Sequence, residues 1–290
     1  MRIGIVILPQ PRWAQASALW RRAEEYGFDH AWTYDHLAWR SLADEPWFAT
    51  VPTLAGAALV TSTIRLGTWV ASPNFRHPVP FAKELMTLDD MSAGRMLLGV
   101  GAGGLGFDAS VLGQEPLTPG QRVERLDDFV ALLDELLTQP VTSREGTYFS
   151  AHEARSIPGC VQQPRVPFLV AANAPRAMSV SVRRGDAWVT TGAEGQETQE
   201  DWWASVARLS ARYTDALAEA GRPAGTPRYL NLDSQEYSLT SVDHFWDQVG
   251  RAEELGFTDV VVHWPRAEGI YAGEEKVLEA VAAGLTPAGA

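Results

Sequence analysis

The chain has 290 residues, 46% hydrophobic and 21% charged, enough for a large core and unlike a disordered chain. A formal charge of −12 speaks against nonspecific attraction to nucleic acid or an anionic membrane surface. One cysteine, Cys160, excludes an intrachain disulfide or a multi-cysteine metal site.

The first apolar run, Ile3–Leu8, stops at Pro9 and is too short for a secretory core. No stretch of about 18 apolar residues occurs elsewhere, so the expectation is a cytoplasmic protein without a membrane span. Short apolar runs then alternate with longer amphipathic ones. Strand candidates are Ile3–Leu8, His30–Tyr34, Ile64–Val70, Met96–Val100, Phe168–Ala171, Ala187–Thr190, Tyr229–Leu232 and Asp259–His263. Each precedes a helix candidate: Trp13–Tyr26, Phe48–Thr61, Pro80–Met91, Gln121–Leu137, Pro175–Arg183, Glu197–Ala220, Val242–Leu255 and Glu274–Ala283. Continuous apolar strands need burial on both faces, and this alternation predicts an α/β protein, a (β/α)8 TIM barrel in one domain over 1–290.

Ala23-Glu24-Glu25-Tyr26-Gly27-Phe28 is echoed by Ala252-Glu253-Glu254-Leu255-Gly256-Phe257. Both read as a helix closing on a left-handed glycine, with a strand just beyond. The segment 138–167 has no helix. Val141–Ser143 and Thr147–Phe149 around Gly146 predict a hairpin, and Pro158, Pro164 and Pro167 a loop. Such an excursion serves either as a lid or as packing over the barrel.

In a barrel, polar residues at the C-terminal strand ends face the site. Asp35-His36 follows the second strand, and histidine exchanges protons near neutral pH. Asn74-Phe75-Arg76-His77-Pro78 follows the third, bringing Phe75 and His77 to the same rim. No metal-ligand spacing occurs there, so no metal is expected. After the fourth strand, Gly99-Val100-Gly101-Ala102-Gly103-Gly104 satisfies a dinucleotide-binding pattern. No helix starts at once, however, and Gly101, Ala102 and Gly103 read better as backbone that a flat ligand can approach.

After the fifth strand, Ala172-Asn173-Ala174-Pro175-Arg176 opens a helix and can form an anion pocket completed by Arg176. Lys83 and Lys276 are the only lysines, so an anionic ligand depends on arginine and backbone N–H groups. Trp39, Trp47, Phe75, Phe107 and Trp264 lie at strand ends or in loops, where several at one mouth would make an apolar substrate pocket.

Together these stretches resemble the luciferase-like monooxygenase superfamily. The resemblance is carried by Ile64-Arg65-Leu66-Gly67-Thr68, Asn74–Pro78, Leu88-Asp89-Asp90-Met91-Ser92-Ala93-Gly94-Arg95 and Leu98–Gly103, and thins beyond about Gly192. It implies a flavin or deazaflavin ring across the C-terminal mouth, buttressed by a non-proline cis peptide at Trp69–Val70 with Ala71 beside it. It also implies that Asp35-His36 sits by the reactive ring carbon and that Ala172–Arg176 cradles the cofactor phosphate.

The expected activity is hydride transfer between coenzyme F420, a deazaflavin, and a small organic substrate at a C=C, C=N or C=O bond. His36 would exchange the proton and Asp35 would orient it. The alternatives are an FMN-dependent monooxygenase of the same family, a non-catalytic flavin-binding partner subunit, and an NAD-linked doubly wound dehydrogenase. A homodimer through helical faces is implied by the resemblance alone. In the sugar-phosphate dehydrogenase branch an acid follows the fourth-strand glycines, where this chain has Gly104.

Overall fold

A computed structural model of the chain describes residues 1–285. In chain order the elements are β1 (Arg2–Val6), α1 (Trp13–Glu25), β2 (His30–Thr33), α2 (Thr50–Val60), β3 (Arg65–Ala71), α3 (Pro78–Met91), β4 (Met96–Gly101) and α4 (Pro119–Thr138). A hairpin of β5 (Val141–Arg144) and β6 (Ala151–Arg155) follows. Then come β7 (Phe168–Ala171), α5 (Pro175–Arg184), β8 (Ala187–Thr190), α6 (Gln199–Glu219), β9 (Arg228–Asn231), α7 (Val242–Glu254), β10 (Asp259–His263) and α8 (Glu275–Ala282). The parallel strands close in the order β1-β10-β9-β8-β7-β4-β3-β2, the eight-stranded barrel expected from the alternation. Closure excludes the open, doubly wound alternative. Among the described residues no helix is long and apolar enough to cross a membrane.

Burial on both faces explains why the strands read as unbroken apolar runs: every residue of β4 and of β8 is buried. Local chemistry sets the helix ends. Thr118 and Gln121 form a capping box that starts α4. Gly27 and Gly256 end the repeated helices at φ 84° and 80°, values that side chains rarely adopt.

Two apolar clusters result. One fills the space between the sheet and the helices. The other lies inside the barrel and includes Val6, Trp32, Tyr34, Trp69, Tyr229 and Val261. A polar plug closes the N-terminal end. Arg2 grips Asp259 through two hydrogen bonds of 2.7 Å, His30 Nε2 lies 3.1 Å from the same carboxylate, and Trp32 Nε1 donates to His30 Nδ1 at 2.7 Å. Burial favours the neutral acid, but the bonds from His30 and Arg2 outweigh it and hold the Asp259 carboxyl below its ordinary value.

The excursion differs from expectation in its second strand, which is Ala151–Arg155, not Thr147–Phe149, because the Tyr148 and Phe149 N–H groups donate to Asp128 of α4 at 2.7 and 3.0 Å and make that stretch a turn. Phe149 packs on Phe129 of α4, and Gln162 bonds to Asp89 and to the Met96 carbonyl where β4 begins, at the barrel's closed end.

Candidate active site

The open end of the barrel is organised around β2. Its chain leaves the sheet at Tyr34 and is fixed there by Thr50, which donates to the Tyr34 carbonyl at 2.7 Å, and by Trp47, whose Nε1 donates to the His36 carbonyl at 2.8 Å. His36 keeps 26% of its side chain exposed. Its Nδ1 meets Asp108 Oδ2 at 2.5 Å, and the other oxygen of Asp108 accepts the Leu37 N–H at 2.7 Å. A carboxylate can only accept, so the ring hydrogen sits on Nδ1 and Nε2 is left to exchange protons.

Asp35 does not orient His36. It is buried and paired with Arg76, Nε to Oδ2 at 3.0 Å and Nη2 to Oδ1 at 2.6 Å. Arg76 also binds Glu84 at 2.9 Å and lies over the Phe81 ring at 4.6 Å. Asp35 thus clamps the end of β2 to the loop after β3, and the orienting acid is Asp108. Asp108 belongs to the loop that carries Gly104, so a carboxylate arrives four residues later than the relatives' pattern implies. It was legible in principle, being the one charged residue between Arg95 and Glu115.

The β3–β4 side is shaped by close contact. The Trp69–Val70 peptide is cis, at the position the resemblance implied, and the β3–β4 register shifts between Thr68 and Ala71. Val70 leans over β4: a Cβ at Gly101 would lie 3.2 Å from Val70 Cγ2 and 3.4 Å from the Ala171 Cβ. Gly103 presses on Asn74, which donates to the Gly104 carbonyl at 3.2 Å and accepts from the buried Arg125. Ala102 packs partly buried against the outer core, and Ala71 is buried.

Beyond β7, Asn173 bridges to the next strand's loop, accepting from Thr190 Oγ1 at 2.6 Å and donating to the Gly192 carbonyl at 2.8 Å. Ala172 is held by a 2.7 Å bond from Trp188 Nε1 to its carbonyl. Ala174 caps α5 without a side-chain hydrogen bond and Pro175 occupies the first turn, so the first N–H groups of α5 have no side-chain acceptor. Arg176 is exposed and has no carboxylate partner among the described residues.

Of the aromatic pocket residues, Trp39 and Trp47 flank Tyr34, with ring centroids 5.1 and 6.3 Å away. Phe107 is exposed beside Asp108. The other three are elsewhere. Trp264 points out of the barrel and stacks on Tyr26 at 6.1 Å, because side chains alternate and His263 takes the inward place. His77 caps α3 and meets Phe149 edge-on, facing the hairpin. Phe75 lies half-buried under Arg76, at 5.1 Å.

The sequence reading missed a second polar group, which runs from the end of β2 to the end of β10. His263, Asp233, Tyr34, Tyr271 and Tyr237 form one buried hydrogen-bonded set. Tyr34 and His263 end strands, and the rule applied to Asp35-His36 would have found them had it been applied to every strand.

The luciferase-like monooxygenase family model matches residues 1–268. The F420-dependent glucose-6-phosphate dehydrogenase of Amycolatopsis mediterranei is 34% identical over 184 residues, 62% of this chain and 54% of that protein. The chain thus spans about half the length of that curated relative. An uncharacterized protein of Mycobacterium tuberculosis is 29% identical over 282 residues, 91% of this chain and 92% of its own. An F420-dependent secondary alcohol dehydrogenase, solved with an F420–acetone adduct, superposes with a TM-score of 0.77 at 17% identity, covering 90% of this chain and 92% of that one. A closed barrel with a cis bond in its third strand, glycines ending its fourth and a family match over nearly all its length leave one assignment: the chain belongs to the luciferase-like monooxygenase family.

Proposed function

We propose that this protein is an F420-dependent oxidoreductase that moves a hydride between the deazaflavin and a small organic substrate, with His36 as the acid–base group and Asp108 as its orienting partner. The observation that carries this reading is the His36–Asp108 pair, which joins the loops after β2 and β4 above the Trp69–Val70 peptide of β3. The glucose-6-phosphate dehydrogenase relatives, which carry F420 in their names, support the choice of cofactor.

The residues fit such a group. Gly101, which has no side chain, and the Val70 methyl against it make an apolar floor for a flat ring, Trp69 and Gly103 border it, Ala71 and Ala102 pack into the outer core instead, and the uncapped start of α5 with unpaired Arg176 suits a phosphate beside Ala172, Asn173 and Ala174. When bound, F420 supplies a two-electron hydride acceptor or donor. His36 Nε2 then takes or returns the substrate proton, and the Asp108 carboxylate stabilises the imidazolium this creates. Trp39 and Trp47 exclude water from the substrate side. A cytoplasmic homodimer is the setting this reading assumes. Titration with F420 and with FMN, followed by the absorbance of each, tests it: tight FMN binding without F420 binding would replace it with the monooxygenase reading.

A further inference from the structure

One charge near the mouth is left without a counter-charge. Arg125, in the second turn of α4, keeps only 8% of its surface exposed. Of the five N–H donors of a guanidinium, a single one is bonded here, from Nη2 to Asn74 Oδ1. Nε is enclosed without an acceptor, whereas Nη1 has no acceptor and is not enclosed, so that edge opens outward.

The acids beside it on α4 are engaged elsewhere. Glu124 faces the Tyr148 hydroxyl at 3.5 Å, Asp127 pairs with Arg183 and Arg184 at 2.9 and 2.8 Å, and Asp128 pairs with Arg144 at 3.2 Å. Arg122, one turn back, reaches only the Leu117 carbonyl, at 3.5 Å. Among the described residues neither arginine has a carboxylate partner. Burial lowers Arg125 from its ordinary value, Tyr148 opposes this, and the charge of Arg122 lowers it further. A guanidinium held out of water is costly unless something supplies the opposite charge.

The surroundings leave room for such a group. Asn74 donates to the Gly104 carbonyl at 3.2 Å, which turns its oxygen to Arg125. Past that turn, a Cβ added at Gly104 would meet only Gly106 N, at 4.0 Å, and one at Gly106 would meet nothing within 4 Å. Arg176 Nη1 lies 3.4 Å from where a Cβ on Gly120 would stand, so the starts of α4 and α5 share one rim. The planar fork of an arginine matches the paired oxygens of a carboxylate or a phosphate.

We infer that Arg125 and Arg122 form an oxyanion site of their own, beside the Asn74–Gly104 turn, which takes a carboxylate or phosphate group of a bound ligand. It is separate from the phosphate place at the start of α5. Two sources carry such a group, the acidic tail of the cofactor and an anionic substrate. Only the choice between them rests on the F420 reading above.

The test titrates inorganic phosphate into the full chain labelled with 15N-arginine, against chloride at constant ionic strength. Wild type is compared with Arg176→Ala, which removes the charge at α5. The Arg125 Nε–H resonance should move saturably in both. By calorimetry, Arg125→Gln should weaken phosphate binding by about ten- to hundredfold, and Arg122→Gln, a partly exposed charge, by about two- to fivefold. Without phosphate, Arg125→Gln should unfold in urea at or above the wild-type midpoint, since it removes an unbalanced charge. A resonance that phosphate does not move overturns the inference. So does a lowered midpoint with unchanged phosphate affinity, which marks Arg125 as a strut for Asn74. If Arg125→Gln does not fold, the wild-type resonance and the Arg122→Gln affinity decide.

F420 then separates the sources. Phosphate displaced from Arg125 by F420, but not by the deazaflavin riboside that lacks phosphate and tail, assigns the site to the cofactor. Phosphate that stays bound to the F420-loaded protein assigns it to the substrate. Failure of F420 to bind fails the cofactor reading and leaves the phosphate result standing.

Discussion

Asp108 meets His36 at 2.5 Å although the two residues lie 72 positions apart and follow different strands. Their contact spans β3, so the geometry of the acid–base group depends on two loops being in place at once.

That dependence makes the first prediction. His36→Ala should slow single-turnover hydride transfer by about 10²–10⁴-fold, as loss of an acid–base group does. Asp108→Asn should slow it too, since an amide can present a donor to Nδ1 and favour the wrong tautomer. Stopped-flow absorbance of bound F420 reads both.

Asp35 should behave differently. Asp35→Ala removes a buried carboxylate from the partly buried Arg76, which keeps only Glu84, and should lower stability by about 1–3 kcal/mol, read by urea unfolding. If Asp35→Ala unfolds at the wild-type midpoint but loses hydride transfer, Asp35 and not Asp108 is the functional acid.

The two inward glycines of β4 should separate folding from binding. A Cβ at Gly99 would sit 2.2 Å from the Thr68 carbonyl oxygen, which is backbone and cannot yield, so Gly99→Ala should cost about 1–3 kcal/mol or more. At Gly101 the nearest atoms are a valine methyl and an alanine Cβ, so Gly101→Ala should fold and instead bind the ring more weakly. Thermal unfolding and cofactor titration of the two variants make the comparison.

Arg176→Ala should weaken cofactor binding by about tenfold, the typical loss of one charge-assisted hydrogen bond, and leave the unfolding midpoint unchanged because the side chain is exposed and unpaired. Raising salt should weaken wild-type binding more than the variant's.

Asp259 sets an acid limit. Its folded pKa lies below the ordinary value, so the stability it contributes is complete above the unfolded value of about 3.9 and is lost as pH falls through the lower folded one. Asp259→Asn should be less stable at neutral pH and show a flatter decline toward about pH 3, measured as urea midpoints across that range.

Most of the barrel could be read from the chain because two-sided burial writes itself as unbroken apolar runs. Phe168–Ala171, Ala187–Thr190 and Asp259–His263 are strands with the boundaries the pattern suggests. The hairpin's second strand was not legible, because Asp128 on the preceding helix α4 turns Tyr148–Phe149 away from pairing. Within the site, position along a strand end marked His36 but could not reveal its partner. Loop path decides which acid arrives, and adjacency in sequence favoured Asp35 over Asp108. Trp264 was misplaced for a simpler reason: one step along a strand reverses the face, and His263 already holds the inner one.

The plug of Arg2, Asp259, His30 and Trp32 also fixes where a ligand can rest. With ion pairs sealing the bottom of the barrel and packed side chains filling its middle, only the strand tips and their loops are free to change between one chemistry and another.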